Sequence, residues 1–237
     1  MRLNRGLVFM ADTRTNAGVD NFSTTRKLFT WDVPGERKIT IMTAGNLATT
    51  QAMISLLEER SKTADQRDPS IFKQPTMFQV AALVGSTLKE VINNSMFNGQ
   101  MSSDQFSASV ILGGQVGQGK PTIFMIYPEG NFIEVSDDTP YMQIGETKYG
   151  KPILVRAYDA DMTFEDAVKL LIVSFDSTVK SNLSVGLPFD LEVYEKNSFS
   201  SKRQKRIDEN DPIYKTISTG WGDALKEAFQ HLPSYQL

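Results

Sequence analysis

The chain has no cysteine and a single histidine, His231. Disulfides, thiolate nucleophiles and cysteine-held zinc are therefore excluded. A histidine-rich metal site and a catalytic histidine pair go with them, and no cofactor is expected. No apolar run approaches the roughly 20 residues that cross a bilayer, and the opening Met1-Arg2-Leu3-Asn4-Arg5 lacks the apolar core of a secretion signal. These absences predict a cytoplasmic protein with no membrane partner. Charge of either sign is not in excess either. The net charge is -3, which gives no electrostatic footprint for nucleic acid.

What is present is 237 residues, 40% of them hydrophobic, enough for one large core. No linker or internal repeat interrupts the chain, so one domain over 1–237 is expected. Two stretches resemble motifs without completing them. Residues 113–121, GGQVGQGKP, space their glycines and Lys120 like a phosphate loop. Pro121 stands where Ser or Thr would hold magnesium, and a strand rather than a helix follows. The reading is a glycine-rich hairpin. Residues 201–206, SKRQKR, form a basic cluster on an acidic chain, read as a solvated strand or a subunit contact. His231 falls in a last helical turn, where a cation suits the helix dipole. The ten methionines are scattered and read as core filler.

Periodicity places the elements. Residues 7–11 (LVFMA) read as a buried strand, breaking at Asp12 into a polar turn that ends at Ala17-Gly18. Arg26-Lys27 precede a second strand at Leu28-Phe29, and 38–43 (KITIMT) read as another. A helix follows from Asn46 to about Arg60, with Ala48, Ala52, Met53, Leu56 and Leu57 on one face. A polar loop at 61–70 leads to a second helix over 76–93. Strands are expected at 106–113, 122–127, 131–135 and 141–144, with Pro128-Glu129-Gly130-Asn131 as a hairpin turn. Thr163 begins a helix, with Asp166 in an imperfect capping box. Strands at 187–195 and 204–208 precede a last helix from Pro212 to about Phe229. Long βαβ alternation is absent, which argues for an α+β chain of two sheets covered on their outer faces by helices.

One pair of residues carries chemical promise. Asp12 ends one strand and Lys27 begins the next, so the intervening turn lets an acid and a base meet. A turn aspartate and a surface lysine would give the same pattern. A wider pattern shifts the weight between them: Gly6, the run to Ala11-Asp12-Thr13-Arg14, Ala17-Gly18, Arg26-Lys27, and Thr43-Ala44-Gly45 before a helix. This resembles the proteasome β-subunit family of N-terminal nucleophile hydrolases. Residues 15–21 (TNAGVDN), 176–186 (DSTVKSNLSVG) and the tail 208–225 resemble its bacterial Anbu, or ancestral β-subunit, branch.

The resemblance implies a four-layer αββα sandwich and a threonine peptidase. In that family an N-terminal threonine hydroxyl attacks the scissile carbonyl, with its own α-amine as base. By motif, Lys27 would stand beside that hydroxyl, Asp12 would orient Lys27, and Gly45 would offer an oxyanion-binding N–H. Ser184 corresponds to a serine near the threonine amine. Substrate would lie as an added strand between Asn16 and Gly45. Thr15, Thr25, Thr43 and Leu47 would line its first pocket. The implied partners are peptide or unfolded-protein substrate and further copies of the chain, in a ring or open spiral. The helices from Asn46 and Thr76 are the expected contact surfaces.

Two departures stand out. The family's aspartate three residues before the serine falls on Ser181, and its other active-site serine falls near Glu146-Thr147, so Glu146 is a candidate to rebuild that support. The family's threonine opens a strand well upstream of the glycine matched by Gly6, about five residues, or ~17 Å of strand, before Met1. Thr13 and Thr15 follow the strand and have no free amine. The alternatives are a start assigned too late, with an active peptidase upstream of it, or an inactive subunit that serves assembly.

Overall fold

The computed structural model describes residues 1–16, 22–62, 69–96 and 103–236. The end of the expected turn, Ala17-Gly18, lies outside them. The apolar run at 7–11 is the middle of a strand, β2 (Gly6–Asp12), that is covered on both sides. Val8 and Met10 face helices, whereas Leu7, Phe9 and Ala11 face a second sheet. A strand apolar on both faces can only be an inner one, and this sets the layering.

The first sheet has the order β1 (Arg2–Leu3), β2, β10 (Phe189–Glu195), β11 (Gln204–Ile207). The second runs β5 (Leu28–Val33), β6 (Arg37–Gly45), β7 (Ala108–Val116), β8 (Thr122–Ile126), β9 (Phe132–Glu134). All neighbouring strands are antiparallel. A polar ribbon, β3 (Arg14–Asn16) with β4 (Phe22–Thr24), lies between β2 and β5 in the chain. Helices α1 (Leu47–Glu59) and α2 (Met77–Met96) cover the second sheet. Helices α3 (Lys151–Ala157), α4 (Phe164–Val179) and α5 (Pro212–Gln230) cover the first. The result is the αββα sandwich, with one core between the sheets and one under each helical layer.

Local chemistry sets the helix starts. Asn46 caps α1 by accepting from Thr49 N–H at 2.9 Å, and Thr163 caps α4 by accepting from Asp166 N–H at 3.0 Å. The reciprocal arm of that box is altered: Asp166 accepts from the Thr163 hydroxyl at 2.8 Å. Asp211 caps α5 through Ile213 and Tyr214. At the other end of α1, Arg60 clamps Glu90 of α2 with two bonds of 2.8 and 3.0 Å. The basic cluster is a solvated strand with acidic partners: Arg206 pairs with Asp190, Lys205 with Asp211, and Arg203 with Glu165.

Several expectations are corrected. Residues 141–144 form no strand; they line a cavity instead. Helix α3 was not anticipated, because Pro152 stands at its start and Leu154 alone is buried. The polar turn after Asp12 contains β3, which has no apolar face to betray it. On α1 the buried face carries Thr50, Met53, Ile54 and Leu57, while Ala48 and Ala52 are exposed.

Candidate active site

A cavity of about 640 Å³ opens where the ends of β2 and β6 meet. Asp12 closes β2 in one sheet, and Lys27 precedes β5 in the other, so their meeting bridges the sandwich. Lys27 Nζ lies 2.7 Å from Asp12 Oδ1 and donates to the Arg14 carbonyl at 2.6 Å. The other Asp12 oxygen accepts from Arg14 N–H at 3.1 Å and Gly186 N–H at 3.3 Å. Both side chains are mostly shielded, 14% and 18% exposed. Asp12 is thus pinned by backbone, and the lysine is held with its ammonium at the cavity wall.

Gly45 ends β6 on the same wall. Its φ of +107° is one that side chains avoid, and a Cβ there would lie 2.5 Å from the Ser107 carbonyl oxygen. Thr43 N–H donates to the Lys27 carbonyl at 3.0 Å, toward β5. Backbone groups alternate along a strand. Gly45 N–H therefore faces the same side, past the end of β5 and over the cavity. Gly45→Ala is expected to cost about 1–3 kcal/mol from backbone strain alone, read as a lower melting temperature.

Thr15, Asn16, Thr43, Leu47 and Ser184 also line the cavity. Thr25 does not: its hydroxyl lies behind the wall, accepting from the Thr15 hydroxyl at 3.1 Å. Ser184 Oγ–H donates to Asn182 Oδ1 at 2.7 Å, and Asn182 Nδ2 donates to Glu146 Oε2 at 2.8 Å. The bonds from Lys148 N–H and Asn182 hold the Glu146 carboxyl below its usual range. Ser181 turns away, donating to the Ser177 carbonyl at 2.8 Å. Asn182 was not anticipated, although it stands between the two serines that were. Arg14 was noted only as motif; it donates to the Leu183 carbonyl at 3.0 Å and so ties the Ser184 loop to the Asp12 wall.

The floor of the cavity is an open sheet edge. Strand β1 pairs with β2 through Arg2–Leu7 and Leu3–Gly6 only, extended by mutual bonds of 2.9 Å between Met1 and Val8. Beyond Val8 the β1-side edge of β2, which carries the backbone groups of Met10 and Asp12, has no partner strand among the described residues.

The profile of the proteasome subunit family matches residues 1–193. The solved structure of Anbu (ancestral β-subunit) from Yersinia bercovieri is 46% identical, superposes with a TM-score of 0.93, and the match covers 100% of this chain and 98% of that one. The Pseudomonas aeruginosa Anbu complex, solved as a helical assembly, is 42% identical with a TM-score of 0.90, covering 100% and 96%. Proteasome subunit beta type-7 of Dictyostelium discoideum is 25% identical over 74% of this chain and 62% of its own length.

The chain belongs to the proteasome subunit family, in its Anbu branch. Asp12, Lys27, Gly45 and Ser184, the residues singled out from the sequence, line one cavity. Ser181 faces elsewhere, and the Glu146 carboxylate is linked to Ser184 through Asn182.

Proposed function

We propose that the chain is a subunit of a cytoplasmic, self-compartmentalised homo-oligomer whose site cleaves peptides with an N-terminal threonine supplied upstream of Met1. The observation that carries this is the open edge of β2. Its register with β1 pairs residues whose numbers add to nine. Continued upstream, the fifth residue before Met1 falls opposite Thr13, immediately beside the Asp12–Lys27 pair. The cavity supplies the space for such a strand, with the Met10 and Asp12 backbone groups ready to pair with it.

In this reading the threonine hydroxyl attacks the peptide carbonyl while its proton passes to its own α-amine. Lys27 stabilises negative charge as it develops on the hydroxyl oxygen, Asp12 orients Lys27, and Gly45 N–H receives the oxyanion. Ser184, its hydroxyl hydrogen engaged by Asn182, presents oxygen lone pairs to the amine. The amine that took the proton returns it to the leaving nitrogen, and water then frees the acyl threonine. Substrate enters as an extended strand between Asn16 and Gly45, with its first side chain against Thr15, Thr43 and Leu47. Homo-oligomeric assembly is supported by the full-length likeness to a helical Anbu assembly.

The test compares turnover of short fluorogenic peptides by the 1–237 chain and by a chain extended five residues to a free threonine. Activity confined to the extended chain is expected. An assembled extended chain with a free amine and no activity would favour a non-catalytic assembly subunit.

A further inference from the structure

Helix α5 carries an apolar stripe longer than the body beneath it. At helical spacing, Tyr214, Ile217, Trp221, Leu225, Phe229 and Leu232 fall on one face. The stripe begins as core. Tyr214 is buried against α4, with its ring edge-on to Phe189 and its hydroxyl on Asp176, and Ile217 packs beside it. From residue 223 to 236 every residue is exposed. Leu225 is 50% exposed, Phe229 75% and Leu232 64%. The second half of the helix therefore overhangs its own subunit, some 15 Å of it at 1.5 Å per residue, with the stripe unbroken and exposed from Leu225 on.

The glycines point the same way. Gly220 and Gly222 lie inside α5 on either shoulder of Trp221, and a Cβ on either would meet nothing within 4 Å. Neither has a positive φ that would call for glycine. Each costs the isolated helix stability relative to alanine, and no contact among the described residues explains it. Glycines on a helix shoulder allow another backbone to come close, which is a requirement of a protein surface rather than of a lipid one.

We infer that the exposed stretch from Gly220 in α5 to Leu232 just beyond its end docks against a second copy of this chain, with the partner's backbone approaching at Gly222. This rests on the homo-oligomer reading above, and names the surface that reading leaves open. On α1 and α2, the surfaces first expected to serve, Met53, Ile54, Leu57, Val80, Val84 and Leu88 are buried in the core, while Phe78 is 61% exposed. Elsewhere in α5 the polar face is self-neutralising, with Lys226 paired to Asp223 at 3.2 Å, so charge neither steers nor opposes the contact.

Sedimentation velocity over a concentration series tests it with four chains: wild type, Leu225→Asp/Phe229→Asp, Gly222→Leu, and Ala52→Asp on the exposed side of α1 as control. Wild type and control are expected to assemble alike. The double variant is expected to dissociate at least a hundredfold more readily with an unchanged circular dichroism spectrum. Gly222→Leu is expected to weaken assembly at least tenfold although it favours the helix. A photo-crosslinker at 229 should yield a covalent homodimer. Assembly of both α5 variants at the wild-type concentration would overturn the inference while leaving the homo-oligomer reading in place. A wild type that stays monomeric at tens of micromolar would remove both. Binding of monomers to lipid vesicles through Phe229 would overturn it in favour of a membrane surface.

Discussion

Replacing Lys27 with methionine in the extended, threonine-ended chain is expected to lower peptide turnover by roughly 10²- to 10³-fold, the range seen when one donor to developing charge is removed. The fall should appear in kcat and kcat/KM together, because Lys27 faces the attacking hydroxyl rather than the substrate's side chains. Folding is not expected to fail. Asp12 loses its ammonium partner but keeps the backbone N–H groups of Arg14 and Gly186, and methionine fills the same half-buried channel. Asp12→Asn probes the next link: Lys27 keeps the Arg14 carbonyl as acceptor but loses its charged partner. It should fall less than Lys27→Met. If Lys27→Met retains full turnover in an assembled chain, the nucleophile lies elsewhere and the site assignment is wrong.

The parts of this arrangement that the sequence discloses are those with an apolar signature. Strand β2 is legible because burial on both faces makes it a continuous apolar run. The hairpin after β7 is legible from its glycines, and α4 and α5 from Thr163 and Pro212 together with their stripes. Tyr141-Met142-Gln143-Ile144 alternates like a strand, yet alternation reports half-burial and not pairing. Here the half-burial comes from a cavity wall. Helix α3 and the β3–β4 ribbon bury too little to leave a pattern.

The site shows the same limit. Asp12, Lys27, Gly45 and Ser184 could be matched to a motif. Their meeting depends on two sheets folding face to face, and no spacing in the chain encodes that. Asn182 was missed because it accepts from Ser184 and donates to Glu146, two partners 2 and 36 residues away in sequence. The α5 stripe was plain as helix but silent about burial, since core and interface have the same composition.

Lys38 is the sharpest instance, and it yields the largest expected change in stability. In KITIMT it is a polar position of an expected strand, with nothing to mark it as buried. Instead Lys38, Thr40 and Met42 face the interior between the sheets, while Ile39 and Ile41 face the helices. Lys38 Nζ lies 2.6 Å from Glu192 Oε1 of β10, both side chains fully buried. The approach is off the direction of a good hydrogen bond, so the contact is chiefly ionic. Glu192 also accepts from the Thr40 hydroxyl at 2.5 Å and from Gln204 at 3.1 Å. Burial pushes the Lys38 ammonium down in pKa, and Glu192 works against that shift. Glu192→Leu is therefore expected to cost roughly 3–5 kcal/mol, because it strands a cation and a hydroxyl between two sheets. For a chain of this size that is a fall of roughly 6–20 °C in melting temperature. Removing the whole cluster is a different experiment. Lys38→Met/Thr40→Val/Glu192→Leu leaves no buried charge and no orphaned donor among these three positions, and Gln204 retains Thr30 as a partner at 3.0 Å. The triple variant is expected to melt at or above the wild type. A single substitution that melts like the wild type would mean that water or a shifted side chain reaches Lys38, and that the two sheets are not sealed around it.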